Sequence, residues 1–167
     1  MLTVGIAVAL EFTILVGTQT GVAQLVAQEI ELRLDGDDVR IKTLLMDELG
    51  PGVFSGGGLF LICTSTFGQG DVPDNAKQLY EGLQAQRPDL SNVRYGVIGL
   101  GDNSTHAATF CFAAKKFDSI LGELGARRIG EPLLNDSSTG LPEDDAAEWI
   151  QIWIPLCRAE LGVPASS

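Results

Sequence analysis

The chain has a single histidine and only three cysteines, Cys63, Cys111 and Cys157, with no CxxC pair among them. One imidazole and three scattered thiols supply neither a zinc finger nor a His-rich metal site, so no metal is expected. The thiols stand in apolar surroundings, which suits buried free cysteines in a reducing compartment. Bases are scarce as well: 11 Lys and Arg face 22 Asp and Glu, a net charge of -11. Nucleic-acid binders need clustered Lys and Arg to neutralise phosphates, so this balance argues against that class. It argues equally against docking on an anionic membrane surface. Residues 1–10 are apolar, but they lack a basic flank and Glu11 closes them. That stretch is too short to span a bilayer, and an extra strand or an extension fits it better than a signal peptide.

What is present suits one globular domain: 167 residues, 45% hydrophobic and 20% charged. Short apolar runs alternate with segments of helical period. Residues 12–16 read as a strand buried on both faces, ending at Gly17. Val22, Leu25, Val26, Ile30 and Leu34 follow as a helical stripe that stops at Gly36. Residues 39–43 and 59–63 are further strands, the latter preceded by a Gly56-Gly57-Gly58 turn. Pro73 opens a helix with Ala76, Leu79, Tyr80 and Leu83 on one face. Residues 93–98 form a fourth strand, closed by Gly99. Phe110, Ala113, Phe117, Ile120, Leu121 and Leu124 make another stripe, ended by Gly125, and residues 127–134 hold a weaker fifth strand. The last helix begins at Pro142, with Glu143, Asp144 and Asp145 where the helix dipole favours acids. Ala146, Trp149, Ile150 and Trp153 form its buried face, and Pro155 should kink or end it.

Strand and helix thus alternate five times. That is the pattern of an α/β fold, a parallel sheet with helices on both faces. Ligands in such sheets bind beyond the carboxyl ends of the strands. The first strand ends in Gly17-Thr18-Gln19-Thr20-Gly21-Val22-Ala23, with two hydroxyls and the open amides of a helix start. Those groups hold a phosphate without Lys, and they equally make an ordinary Thr-capped turn. The loop is neither a Walker motif nor a GxGxxG fingerprint. After the third strand comes a run from Thr64 to Asn75, in which Phe67 stands between small polar residues and glycines. Phe67 either stacks on a planar ligand or tucks back into the core. The fourth strand ends in a third polar loop, from Gly99 to Cys111.

Together the three loops resemble those of the short-chain flavodoxins. Ser65 to Asn75 is similar to the second flavin loop in the FMN domains of sulfite reductase and cytochrome P450 reductase. Tyr80 to Gly101, Thr109-Phe110-Cys111, and Leu141-Pro142-Glu143-Asp144 with Trp149 resemble the MioC-type flavodoxins more closely still. The resemblance implies a flavodoxin-like three-layer sandwich with a five-stranded parallel sheet in the order 2-1-3-4-5. It implies an FMN-binding domain over residues 12–161, flanked by an extension at 1–11 and a tail at 162–167. It matches Thr18, Gln19, Thr20, Gly21, Val22 and Ala23 to the FMN phosphate loop. Ser65, Thr66, Phe67 and Gly68, followed by Gln69 and Gly70, match the loop whose aromatic packs on the isoalloxazine. Gly68 matches a glycine whose peptide can rotate and accept a hydrogen bond from reduced flavin N5. Leu100, Gly101 and Asp102, with Thr105, His106, Phe110 and Cys111, match the third loop. Val22 stands where relatives often have Thr, and Thr105 or His106 occupies the region of a Tyr that covers the outer flavin face.

The expected function is single-electron transfer by bound FMN, since no side chain is placed as acid, base or nucleophile for turnover. An FMN-dependent NAD(P)H reductase of quinones or nitro compounds, or a detached FMN domain of a diflavin reductase, is the alternative. A receiver domain is disfavoured: the strand ends carry Gly17-Thr18 and Thr64-Ser65 instead of its acids, and no Lys follows Lys116. Expected partners are a flavodoxin reductase-type donor and basic redox proteins, for a cytoplasmic monomer. Asp71, Asp74 and Asp102 lie beside the loops, and residues 131–167 hold seven acids against Arg158 alone. Such a surface steers basic partners.

Overall fold

The computed structural model describes residues 9–18, 21–66, 72–101 and 111–164. Strand β1 (Leu10–Gly17) leads to α1 (Val22–Leu34) and β2 (Val39–Leu45). Two short 3-10 turns, Met46–Glu48 and Pro51–Phe54, precede β3 (Gly58–Ser65). A third, Asp74–Ala76, runs into α2 (Lys77–Gln86), followed by β4 (Val93–Gly101) and α3 (Phe112–Glu123). The chain closes with β5 (Arg127–Arg128), β6 (Leu133–Asp136) and α4 (Pro142–Leu161).

The sheet runs β2-β1-β3-β4-β5, with β6 also on β4, and every pairing is parallel. This is the expected 2-1-3-4-5 order with a sixth strand added. Successive side chains of a strand point to opposite faces. Ile14, Val16, Leu61 and Ile98 therefore pack on one side, against Val26 and Ile30 of α1 and Ile150 and Trp153 of α4. Leu15, Ile62 and Val97 pack on the other, with Leu79 and Leu83 of α2 and Phe117 and Leu121 of α3. Both faces are covered, which is why the strands read as unbroken apolar runs.

Five local expectations need correction. The first strand begins at Leu10, before Phe12. Leu25 is 54% exposed, and the buried stripe of α1 is Ala23, Val26, Ala27 and Ile30. Gly99 lies within β4 instead of closing it: a Cβ there would meet the Ala114 Cβ at 2.6 Å, so close approach of α3 requires the glycine. The fifth strand is split into β5 and β6 by residues 129–132, with Gly130 at φ +71°. Two indoles of α4 hold that interruption. Trp153 Nε1 donates to the Ile129 carbonyl and Trp149 Nε1 to the Glu131 carbonyl, each at 3.0 Å. Finally, α4 runs through Pro155 to Leu161. Pro155 and Gln151, whose carbonyl loses its helical donor, are both exposed, so water can serve that carbonyl.

Candidate functional site

The parallel registers bring the strand ends level. Gly17 pairs with Thr64, Ser65 with Leu100, and Gly101 with Asp136. At this edge the roots of the three loops meet.

The first loop is pinned at its base. A Cβ on Gly17 would lie 2.7 Å from Thr64 Oγ1 and 3.1 Å from the Ala76 Cβ, so only glycine fits there. The Thr18 amide donates to Asn75 Oδ1 at 2.7 Å, and Asn75 Nδ2 donates to the Val16 carbonyl at 3.3 Å. Asn75 thus clamps the loop from the segment before α2. Thr18 Oγ1 accepts from the Gly21 amide at 2.8 Å. Gly21 takes the left-handed conformation, φ +94°, and α1 starts behind it with no side-chain cap and no acid in its first turn. Its first amides, without a side-chain cap among the described residues, lie at the positive end of the helix dipole and suit an anion.

The second and third loops are tied together. The Thr66 amide donates to the Leu100 carbonyl at 3.2 Å, and Thr66 Oγ1 accepts from the Ala113 amide at 3.1 Å. Thr66 therefore caps α3 from another loop. Cys111, at the start of α3, has φ +53° and is fully buried. Burial pushes its thiol up to about 12, and its Sγ donates to the Asn135 carbonyl at 3.7 Å.

Between these roots lies a cleft of about 200 Å³, lined among others by Val22, Ser65, Thr66, Leu100, Gly101 and Asn135. In two of these lining residues a polar atom, Ser65 Oγ and Asn135 Oδ1, is buried with no hydrogen-bond partner among the described residues. Unpaired buried groups of this kind await a ligand or water. A larger cavity of about 650 Å³ opens at the opposite edge, near Glu11, Arg40 and Lys42. It contains none of the loop residues, and its Arg40 is paired with Glu11 at 3.6 Å. Among the described residues no group of His, Cys, Asp and Glu could hold a metal, and no helix is long and apolar enough to cross a membrane.

The structure thus gathers Thr18, Gly21, Val22, Ala23, Ser65, Thr66, Leu100, Gly101 and Cys111 at one edge, with Cys111 beneath it. Gln19, Thr20, Phe67, Gly68, Gln69, Gly70, Asp102, Thr105, His106 and Phe110 lie outside the described residues. Asn75 and Asn135 were not expected as site residues. An Asn inside the apolar run Leu133-Leu134-Asn135 is a signal in itself, since a polar group in a buried strand needs a partner.

A family profile described as Flavodoxin matches residues 14–149. The chain is 39% identical over 152 residues to Protein MioC of Escherichia coli O157:H7, covering 89% of this chain and 99% of that protein. It is 38% identical to Flavodoxin YqcA of Escherichia coli K12, covering 86% of this chain and 95% of the relative. Among solved structures, a cysteine-to-serine mutant of flavodoxin from Pseudomonas aeruginosa superposes with a TM-score of 0.77 at 30% identity, over 89% of this chain and 99% of that one.

Proposed function

The chain belongs to the flavodoxin family, whose members bind FMN and transfer electrons, and from that premise we propose that the three loops at the carboxyl edge form its flavin site. The residues present fit the group. Thr18, the Gly21 turn bonded to it, and the amides of Val22 and Ala23 at the start of α1 suit the phosphate. Val22 contributes no hydroxyl, so the backbone carries that contact. The orphaned Ser65 Oγ and Asn135 Oδ1 suit a ligand with hydroxyls. Gln19, Thr20, Phe67, Gly68, Gln69, Gly70, Asp102, Thr105, His106 and Phe110 complete the proposed set from the same three loops.

When bound, FMN supplies one-electron redox chemistry, and the protein supplies position and electrostatics. Asn75 holds the first loop in place before the ligand arrives. Thr66 fixes the second loop to β4 and α3. Glu143, Asp144 and Asp145 begin α4 next to Pro142, which lines the cleft, and Glu143 and Asp144 make no ion pair among the described residues. Unpaired acids beside the site disfavour added negative charge on the cofactor, which makes the reduced protein a stronger donor. They also favour basic partners.

We infer a monomeric electron shuttle between a reductase-type donor and basic acceptor proteins. Three free buried cysteines support a reducing compartment such as the cytoplasm. The observation that carries the reading is the cleft at the level strand ends with its two unpaired polar atoms. The visible spectrum of the purified protein tests it. Flavin bands, with FMN released on denaturation or taken up on reconstitution, are expected. A colourless protein that takes up no FMN would overturn it.

A further inference from the structure

The turn Met46–Glu48, at the exit of β2, belongs to none of the three loops of the site, yet it reaches the root of the first. Met46 is fully buried beneath Gly17: a Cβ on that glycine would lie 3.2 Å from Met46 Sδ. The next residue, Asp47, is exposed, and its Oδ1 accepts a hydrogen bond from Asn75 Nδ2 at 3.4 Å. Asn75 Nδ2 also donates to the Val16 carbonyl at 3.3 Å, while Asn75 Oδ1 accepts from the Thr18 amide at 2.7 Å. Turned over, the Asn75 amide would set its oxygen against a carboxylate and a carbonyl, and its nitrogen against the Thr18 N–H. Its orientation is therefore fixed, with both donors used.

The Thr18 and Val16 bonds hold Asn75 to β1 and the loop that leaves it; the Asp47 bond holds it to β2 as well. With its amide taken by Asn75 and its Oγ1 accepting from the Gly21 amide, Thr18 keeps only its hydroxyl proton for a ligand. An acid two hydrogen bonds from an anion site opposes the ligand by its charge, so its service there is as an acceptor. Resting on the flavin reading above, we propose that Asp47 is a positioning residue for the cofactor's phosphate, acting through Asn75 and the Thr18 amide. The exit of β2 then joins the three loops in shaping the site without touching the cofactor.

The test compares two neutral variants: Asp47→Asn, which keeps an acceptor, and Asp47→Ala, which does not. Asp47 is exposed, so both should fold. In fluorescence titrations of flavin-free protein, Asp47→Ala should bind FMN about twofold to fivefold more weakly than Asp47→Asn, the loss of one exposed hydrogen bond. Riboflavin, which has no phosphate, should bind the two variants equally. In an Asn75→Ala background the two substitutions should bind FMN alike, because the bond they differ in is already gone. Amide hydrogen exchange reads the same clamp without a cofactor: the Thr18 N–H should exchange faster in Asp47→Ala than in Asp47→Asn, by a similar factor. Equal FMN affinities, the same loss for riboflavin, a difference that survives in the Asn75→Ala background, or equal Thr18 exchange would each overturn the proposal. Wild-type protein that binds neither flavin would instead refute the flavin reading, and the phosphate role of Asp47 with it.

Discussion

Gly96 allows a quantitative test of the core. A Cβ at this position would lie 2.5 Å from Trp153 Cε2 and Nε1. Carbon atoms rest about 3.5–4.0 Å apart, so in Gly96→Ala the indole must move by ~1 Å. Trp153 has little room, being 1% exposed, edge-to-face with Phe12 at 5.2 Å and stacked on Trp149 at 5.4 Å. Forcing a methyl into such packing costs about 1–3 kcal/mol. The shift also takes the indole N–H from the Ile129 carbonyl, and an orphaned buried acceptor costs about 1–3 kcal/mol more. The sum, about 2–6 kcal/mol, should lower Tm by roughly 5–20 °C for a chain of this size. Thermal and urea unfolding followed by tryptophan fluorescence read it directly, because both tryptophans of the chain belong to this cluster. Adding Trp153→Phe shrinks the ring, so the double variant should cost at least ~1 kcal/mol less than the sum of the single ones. The folded fraction should keep its flavin affinity. A destabilisation below about 1 kcal/mol, or strict additivity, would refute the reasoning.

Four further outcomes are expected. Asn75→Ala removes the acceptor of the Thr18 amide and should weaken FMN binding about fivefold to thirtyfold by calorimetry, with an unchanged Kd counting against the clamp. Burial pushes all three thiols up to about 12, so a thiol reagent should find none in the native protein and three after unfolding. In the unfolded chain these thiols titrate near 9; their contribution to stability is therefore complete below that pH and lost as pH rises toward 12, visible as a falling Tm in the alkaline range. Electron transfer to a basic acceptor should slow as salt rises from low to physiological strength, and a salt-independent rate would remove the steering role of the acids.

Most of the fold was legible because its strands are buried on both faces and carry unbroken apolar runs, as at residues 59–63. Three of the misread positions share one cause: a tertiary neighbour decided them. Gly99 looked like a stop, but Ala114 is what requires it. The fifth strand looked continuous, but two indole donors from a helix that follows it in sequence favour an interruption. Leu25 fitted the helical stripe by spacing, yet α1 buries smaller residues against the sheet. The loops of the site were visible as glycine, threonine and serine at strand ends. Asn75 and Asn135 were not, because each acts on a partner distant in sequence, Thr18 in one case and the cleft wall in the other.

The bond from the Ala113 amide to Thr66 Oγ1 makes one helix end depend on a residue 47 positions earlier. Neither segment can fray alone: opening the second loop uncaps α3, and unwinding the first turn of α3 releases the second loop. The two form one cooperative unit on the hydrogen-exchange timescale. The Ala113 and Thr66 amides should then exchange with a common opening free energy, and a cofactor that touches only one of these loops would still slow exchange in both.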